Sequence, residues 1–140
     1  MTTLHYLHLI PGDATPALAL APFRAVLVIE AVATDEWREA VSAWLVQSGC
    51  LYCSAWGDAC EAWHDAVDLA LVMEFLEEDI PDDRFVMTTW HTRDPLTEVL
   101  WFAANCADHD VIDLQATVIL QIGGQQRGEE LLGLYRAASV

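Results

Sequence analysis

A strand followed by a polar turn and a helix, repeated along the chain, constrains the fold more than any other feature of this sequence. The clearest copy lies in residues 84–107, RFVMTTWHTRDPLTEVLWFAANCA. Residues 85–90 are mostly apolar, aromatic or β-branched and predict a short buried strand, and residues 91–94 predict the turn. Asp94 is the expected N-cap of the helix that follows, because Pro95 suits the first helical position.

Three more strands are predicted by the same reasoning. Residues 25–31, AVLVIEA, form an apolar run that is typical of a central strand buried on both faces. Residues 50–56 and 115–122 are the other apolar runs of strand length. Helices are predicted after these strands, at residues 34–49 with Thr34 as N-cap, at residues 59–78 and at residues 129–138.

The helix at residues 59–78 is expected to bury one broad apolar face. The side chains that we place on this face are Trp63, Ala66, Leu69, Val72, Met73 and Leu76. A shorter helix that ends near Asp68, followed by a strand at residues 69–76, is the alternative.

Strands that alternate with helices favour a parallel sheet with helices on both faces. We therefore predict an α/β fold: a three-layer sandwich around a mainly parallel sheet of four or five strands, with flavodoxin- or Rossmann-like topology. By analogy with flavodoxin-type sheets, the expected spatial order of the strands is 50–56, 25–31, 85–90 and 115–122. We predict a single α/β domain over residues 1–140, in which residues 1–23 are irregular apart from a candidate edge strand at residues 5–10.

The charge of the chain limits the classes of molecule that it is expected to bind. It contains 22 Asp and Glu against six Arg and no Lys, for a formal net charge of −16. Such a charge repels nucleic acid and anionic membranes, which bind mainly through Lys and Arg, and attracts a basic protein. The alternative explanation is solubility, because 54% of the residues are hydrophobic and need a charged surface around them.

The amino-terminal residues do not resemble an export signal, because the first positive residue is Arg24. The longest uncharged stretch, residues 40–57, is interrupted by polar residues and by Gly49, which argues against a membrane span. We therefore expect a cytoplasmic protein whose four cysteines are reduced thiols.

Carboxylates are concentrated in the loops that lead into strands, which in a parallel sheet lie together at the amino edge. The eight residues are Glu77, Glu78, Asp79, Asp82, Asp83, Asp108, Asp110 and Asp113. The first three lie near the C-terminal end of the predicted helix at residues 59–78, where the helix dipole disfavours negative charge. We predict that these residues bind a basic partner; ordinary solvated loops are the alternative, and neither loop has the ligand spacing of an EF-hand calcium site.

The opposite edge of the sheet offers a different function. Glu30 lies at the end of the predicted strand 25–31, and His91 and Arg93 follow the predicted strand 85–90. The carboxyl ends of parallel strands are where α/β proteins usually bind ligands. An acid–base histidine beside a carboxylate and a cation is compatible with a small enzyme or a ligand-binding domain. The chain lacks the glycine-rich nucleotide motifs and the GxSxG nucleophile motif, so we predict no cofactor.

Cysteine spacing raises a zinc site as a weaker alternative. Cys50, Cys53, Cys60 and His64 are residue types that bind zinc. Cys50 and Cys53 are three residues apart on a predicted strand, however, so their side chains should point to opposite faces of the sheet. We expect thiols packed in the core and no bound metal.

These observations favour a non-enzymatic acidic domain that binds a basic protein, as immunity proteins, inhibitors of nucleic-acid enzymes and nucleic-acid mimics do. The chain also has six tryptophans, and Trp56 and Trp101 are the hardest to bury. Exposed tryptophans anchor interfaces, so a homodimer is a further expectation.

Overall fold

A computed structural model describes residues 2–140 and contains a five-stranded, entirely parallel sheet between two pairs of helices. The strands are β1 (Thr3–Leu9), β2 (Phe23–Ile29), β3 (Cys50–Gly57), β4 (Met87–His91) and β5 (Ala116–Ile122). The helices are α1 (Asp35–Gln47), α2 (Cys60–Glu74), α3 (Leu96–Asn105) and α4 (Gly128–Ala138), with a 3-10 turn at Asp82–Arg84. The predicted α/β sandwich and its parallel sheet are confirmed.

The predicted strand order is wrong. The order in the sheet is β1-β5-β2-β3-β4, so β4 is an edge strand instead of a neighbour of β2. α1 and α2 pack side by side on one face, where the rings of Trp37 and Trp63 meet edge to face at 6.0 Å. Because both of these crossover helices lie on the same face, the chain advances in one direction across the sheet, from β2 through β3 to β4. α3 and α4 pack together on the other face, and α3 returns the chain to β5 beside β2.

The candidate edge strand near the amino terminus is confirmed as β1, which pairs with β5 over Thr3–Leu9. Residues 10–22 are irregular, as predicted, but Leu18 and Leu20 pack against the core. No helix within residues 2–140 combines the length and the apolar character that crossing a membrane requires.

Helix α2 extends to Glu74, so the alternative strand at residues 69–76 is wrong. Of the predicted buried face, Trp63 is confirmed, but most of its other residues do not contact the core. The buried residues are Cys60, Trp63, Val67 and Leu71. Leu69, Val72, Met73 and Leu76 are each more than half exposed. Apolar side chains lie on most sides of this helix, so its periodicity does not determine which stripe contacts the sheet.

The first turns of α1 and α3 differ in how well the sequence predicts them. Thr34 caps α1 as predicted, since its side chain accepts a hydrogen bond from the Trp37 N–H at 3.2 Å. Pro95, and not Asp94, is the N-cap of α3. The Asp94 carboxylate instead contacts Nδ1 of His91 at 3.1 Å, because the turn is short enough to bring the two side chains together.

Candidate functional site

A buried hydrogen-bond network occupies the carboxyl edge of the sheet, where β2 and β5 are neighbours but continue into helices on opposite faces. Gln121 of β5 is fully buried at its centre. Its Nε2 donates to Glu30 Oε1 at 2.7 Å and to the Gln125 carbonyl at 2.6 Å. Its Oε1 accepts from the Arg127 N–H at 3.0 Å and from the Tyr6 hydroxyl. Both donors and both lone pairs of the amide are therefore used.

Arg127 closes the same network. Its guanidinium lies 3.1 Å from Glu30 Oε2 and 3.2 Å from Glu130 Oε2, while its buried Nε has no hydrogen-bond partner among residues 2–140. Burial and the nearby Glu30 carboxylate raise the pKa of Tyr6, against the opposing effect of the Arg127 N–H. A cavity of about 700 Å³ opens beside Tyr6 and Arg127. The two carboxylates already neutralise the arginine, so the network mainly holds residues 123–127 in place.

The three residues of the predicted catalytic alternative do not form one site. Glu30 belongs to the Gln121 network, whereas His91 ends β4, and β3 lies between β2 and β4. Arg93 is exposed and forms no ion pair within residues 2–140. The strand order is the reason, because it separates loops that the expected order places side by side.

His91 instead belongs to a hydrogen-bond chain beneath α3. Its Nδ1 contacts Asp94 and its Nε2 lies 3.0 Å from Thr89 Oγ1, which donates to Ser54 Oγ at 3.0 Å. This order of groups resembles a catalytic triad, but Ser54 is fully buried and the Phe102 ring lies 5.3 Å from that of His91. The chain satisfies polar groups on the face of the sheet under α3.

The two acidic loops do meet at the amino edge, and His109 joins them. Its Nε2 lies 2.8 Å from the Phe85 carbonyl, and its Nδ1 lies 3.2 Å from both the Val111 and the Ile112 N–H groups. Two backbone donors require Nδ1 to be the acceptor, so Nε2 carries the proton and donates to Phe85. Asp82 and Asp110 line a shared cavity of about 300 Å³ beside this histidine.

All eight predicted carboxylates are exposed, and few have partners. Arg24 lies 3.8 Å from Asp108, and Gln115 donates to Asp113. Within residues 2–140, no cation lies within ion-pair distance of the other six. Arg84 is close by in sequence but stacks 5.1 Å above the Phe75 ring instead.

Two exposed apolar side chains lie among these carboxylates, and the sequence reasoning missed both. Phe85, predicted to begin a buried strand, is 48% exposed, and Val111 is 56% exposed. Both line the cavity that Asp82 and Asp110 share. We call the eight carboxylates together with Phe85 and Val111 the acidic surface. His109 is a single histidine within an acidic loop, and this is the feature of the sequence that could have indicated the contact between the two loops.

Loss of charge repulsion at the acidic surface is expected to stabilise the free protein. Replacing Asp82 and Asp110 with asparagine should raise the free energy of unfolding by about 0.5 kcal/mol at low ionic strength, and added monovalent salt should stabilise the wild type. The control Glu36→Gln with Glu39→Gln makes the same change in net charge on α1. It should not raise the free energy of unfolding, because Glu36 lies in the first turn of the helix, where the helix dipole favours negative charge. Urea unfolding in low and moderate salt measures both effects. A variant no more stable than the wild type would contradict the repulsion.

Cys50 and Cys53 point to the same face of the sheet, so the prediction of opposite faces is wrong. The register between β2 and β3 shifts after Phe23, because Leu51 is an extra residue on β3. The resulting bulge turns Cys50 into the core beside Cys53. The hydrogen bond between the two thiols and complete burial raise the pKa of Cys53 well above its ordinary value.

The residues of the zinc alternative do not converge. Cys60 is buried in the same core, whereas His64 contacts Asp65 at 3.0 Å and Asp68 at 3.4 Å. Across residues 2–140, no three His, Cys, Asp or Glu side chains are grouped so that they could hold a metal ion.

A parallel five-stranded sandwich with a carboxylate-rich surface at the amino ends of its strands defines a small acidic α/β domain. A family model described as "Domain of unknown function (DUF7684)" matches residues 4–138, so the chain belongs to this family. Neither a curated protein nor a solved structure matches the chain.

Proposed function

We propose that this protein is an acidic binding domain that docks a basic protein on the acidic surface. The observation that carries the proposal is the contact between the two acidic loops through His109, which combines carboxylates from distant parts of the sequence into one surface. Seven of these eight carboxylates, all except Asp108, have no cation within ion-pair distance among residues 2–140, so a positively charged partner supplies charge that the free protein lacks.

Phe85 and Val111 make the acidic surface more than a set of charges. They line the same cavity as Asp82 and Asp110, and protein interfaces commonly combine an apolar centre with a polar rim. The carboxylates steer a basic partner toward the surface, and the apolar side chains lose contact with water when it docks.

The partner class that best fits this surface is a protein with a basic nucleic-acid-binding groove. Carboxylates take the place of phosphates there, as in a nucleic-acid mimic or an inhibitor, and an immunity protein against a nuclease uses the same charge logic. In each case the acidic domain binds a protein and does not itself contact nucleic acid.

A small-ligand or enzymatic function at the carboxyl edge is the second candidate, favoured by the cavity of about 700 Å³ beside Tyr6. The charges there support it less well. Glu30 and Glu130 both contact Arg127, so the cation is not free for an anionic ligand.

A capture experiment followed by kinetics tests the proposal. Immobilised wild type, the double variant Asp82→Asn with Asp110→Asn and the α1 control Glu36→Gln with Glu39→Gln are exposed to lysate of the source organism. A protein retained by the wild type and the control but lost by the double variant is then purified. We expect its association rate to fall about tenfold for the double variant and to fall with added salt, because steering by opposite charge acts mainly on association.

Duplex DNA distinguishes the partner classes in the same assay. A partner with a nucleic-acid groove should be displaced from the domain by DNA, whereas another basic protein should not. A partner that associates with the double variant as fast as with the wild type would contradict docking on the acidic surface.

A further inference from the structure

Strand β4 leaves one edge of the sheet open. It pairs with β3 on one side and is the last strand in the order, so in the part of the chain that the structure describes its outer N–H and C=O groups have no strand beside them. Proteins usually protect such edges with lysine, proline or charged side chains. Met87–His91 reads MTTWH and contains no lysine, proline or carboxylate.

Apolar side chains lie along this open edge. Trp90 is 44% exposed with its ring 4.4 Å from that of His64 on α2, and Val72 of α2 is 52% exposed. Val72, Ile80 and Met87 line a groove of about 480 Å³ between α2 and β4. An open strand edge beside exposed apolar groups favours pairing with another strand.

The charges that flank β4 indicate which strand pairs with it. Asp83 and Arg84 precede the strand, and Arg93 and Asp94 follow it. Neither arginine forms an ion pair within residues 2–140. Each end of β4 therefore carries one arginine and one carboxylate, which suits a partner strand of mixed charge better than a uniformly basic one, and a second copy in the antiparallel direction brings Arg93 of one chain toward Asp83 of the other.

We propose that two copies of this chain pair antiparallel through their β4 edges, which joins two five-stranded sheets into one of ten strands. The two-fold axis is normal to the sheet and keeps each side chain on its own face. Because residues directly opposite in an antiparallel pair share a face, Thr88 must oppose Thr88, or Thr89 must oppose Thr89.

These two registers have the same electrostatic consequence. With Thr88 opposite Thr88, the segment that follows β4 and carries Arg93 lies beside the 3-10 turn of the second copy that carries Asp83. With Thr89 opposite Thr89, the two copies shift along the seam, and the long Arg93 side chain still extends toward that turn. The intermediate register, which would align Asp83 with Asp94, violates the face rule. Each copy contributes one arginine and one carboxylate, so the pairing occurs twice per dimer.

This dimer goes beyond the proposed binding of a basic protein and does not depend on it. It uses the side of the molecule formed by β4 and α2, and it shares only Asp83 and Phe85 with the acidic surface. Asp82, Asp110 and Val111 stay available to a partner, so the two proposals are tested with different variants.

Sedimentation of the purified protein over a wide concentration range tests the dimer. The measurement is made at about 0.15 M salt, where a Debye length of about 8 Å screens the long-range repulsion between two acidic chains. We expect the wild type to form dimers, and Val72→Lys to weaken dimerisation at least about tenfold, because both copies lose apolar burial at the seam. Val32→Lys is the matched control, since Val32 is an exposed valine outside this edge. A monomer at every concentration, or equal effects of the two lysines, would overturn the proposal.

A charge exchange tests the antiparallel arrangement. Arg93→Asp and Asp83→Arg should each weaken the dimer about tenfold, because two attractive pairs become repulsive. The variant that combines both changes should recover dimerisation, since attraction returns with the signs reversed. Circular dichroism verifies that each variant is folded. If the combined variant dimerises no better than the single variants, antiparallel β4 pairing is refuted.

Discussion

Replacing Gln121 with leucine is expected to lower the free energy of unfolding by about 3–5 kcal/mol. Leucine is similar in size to glutamine, and an apolar side chain suits a strand that is buried throughout. Neither packing nor strand propensity therefore accounts for such a loss. The loss comes from the groups that the amide satisfies. Without it, the Arg127 N–H, the Gln125 carbonyl and the Tyr6 hydroxyl lose their partner near the end of β5.

Gln125→Leu is the matched control for this effect. The Gln125 side chain is exposed and only its backbone carbonyl binds Gln121, so the same chemical change there should cost less than about 0.5 kcal/mol. Urea unfolding monitored by circular dichroism gives both values. A loss below about 1 kcal/mol for Gln121→Leu would show that water replaces the amide and that the network is not needed to hold residues 123–127.

Replacing Arg24 with methionine is expected to destabilise the protein by about 3 kcal/mol. Arg24 is 8% exposed on β2, and its guanidinium donates to the Ala107 carbonyl at 2.8 Å and to Thr117 Oγ1 at 2.9 Å. Methionine fills much of the same space but leaves the Ala107 carbonyl without its donor and Thr117 Oγ1 with only the longer hydrogen bond from the Tyr135 hydroxyl, at 3.4 Å. It also removes the cation beside Asp108.

Arg24 also connects stability to the proposed function. It attaches the loop that carries Asp108 and Asp110 to the sheet, so Arg24→Met should slow association with a basic partner even though it makes the protein more negative. Simple charge steering predicts the opposite sign, which makes the measurement decisive. Arg24→Lys keeps the positive charge but lacks the planar guanidinium, so its association rate should lie between those of the wild type and Arg24→Met. Faster association of Arg24→Met would show that the loop keeps its position without Arg24.

Short-range features of the chain were predictable because they depend on neighbours in sequence. An apolar run of strand length predicts a strand wherever it is packed, and Thr34 accepts a hydrogen bond from an N–H three residues away. The alternation of strands with helices favours a parallel sheet, since a crossover of helix length is what parallel strands require. Clustering of carboxylates at the amino edge follows from the same alternation.

The sequence also contains a signal that β4 lies at an edge of the sheet. β2 and β5 are apolar apart from Arg24, Thr117 and Gln121 and are buried at every position, whereas β4, MTTWH, is more polar and only partly buried. Central strands are covered on both faces and edge strands are not. This difference in composition is a sequence signal for an edge position, which the prediction of a buried strand over residues 85–90 did not use.

The remaining features depend on contacts between residues that are distant in the chain. The apolar periodicity of α2 does not reveal which stripe meets the sheet, and the free energy of packing against β3 and β4 selects Trp63 and Val67 over Leu69 and Met73.

Gln121 is recognisable in the sequence as a polar residue within an apolar strand, but its partners come from Tyr6, Glu30 and the loop after β5. The sequence by itself therefore determined the strands, most of the helices, the parallel sheet and the excess of negative charge. Only the tertiary structure decided the strand order, the bulge that turns Cys50 beside Cys53 and the junction of the two acidic loops at His109. Local propensity is a property of neighbouring residues, whereas these features follow from which surfaces gain most by leaving water together.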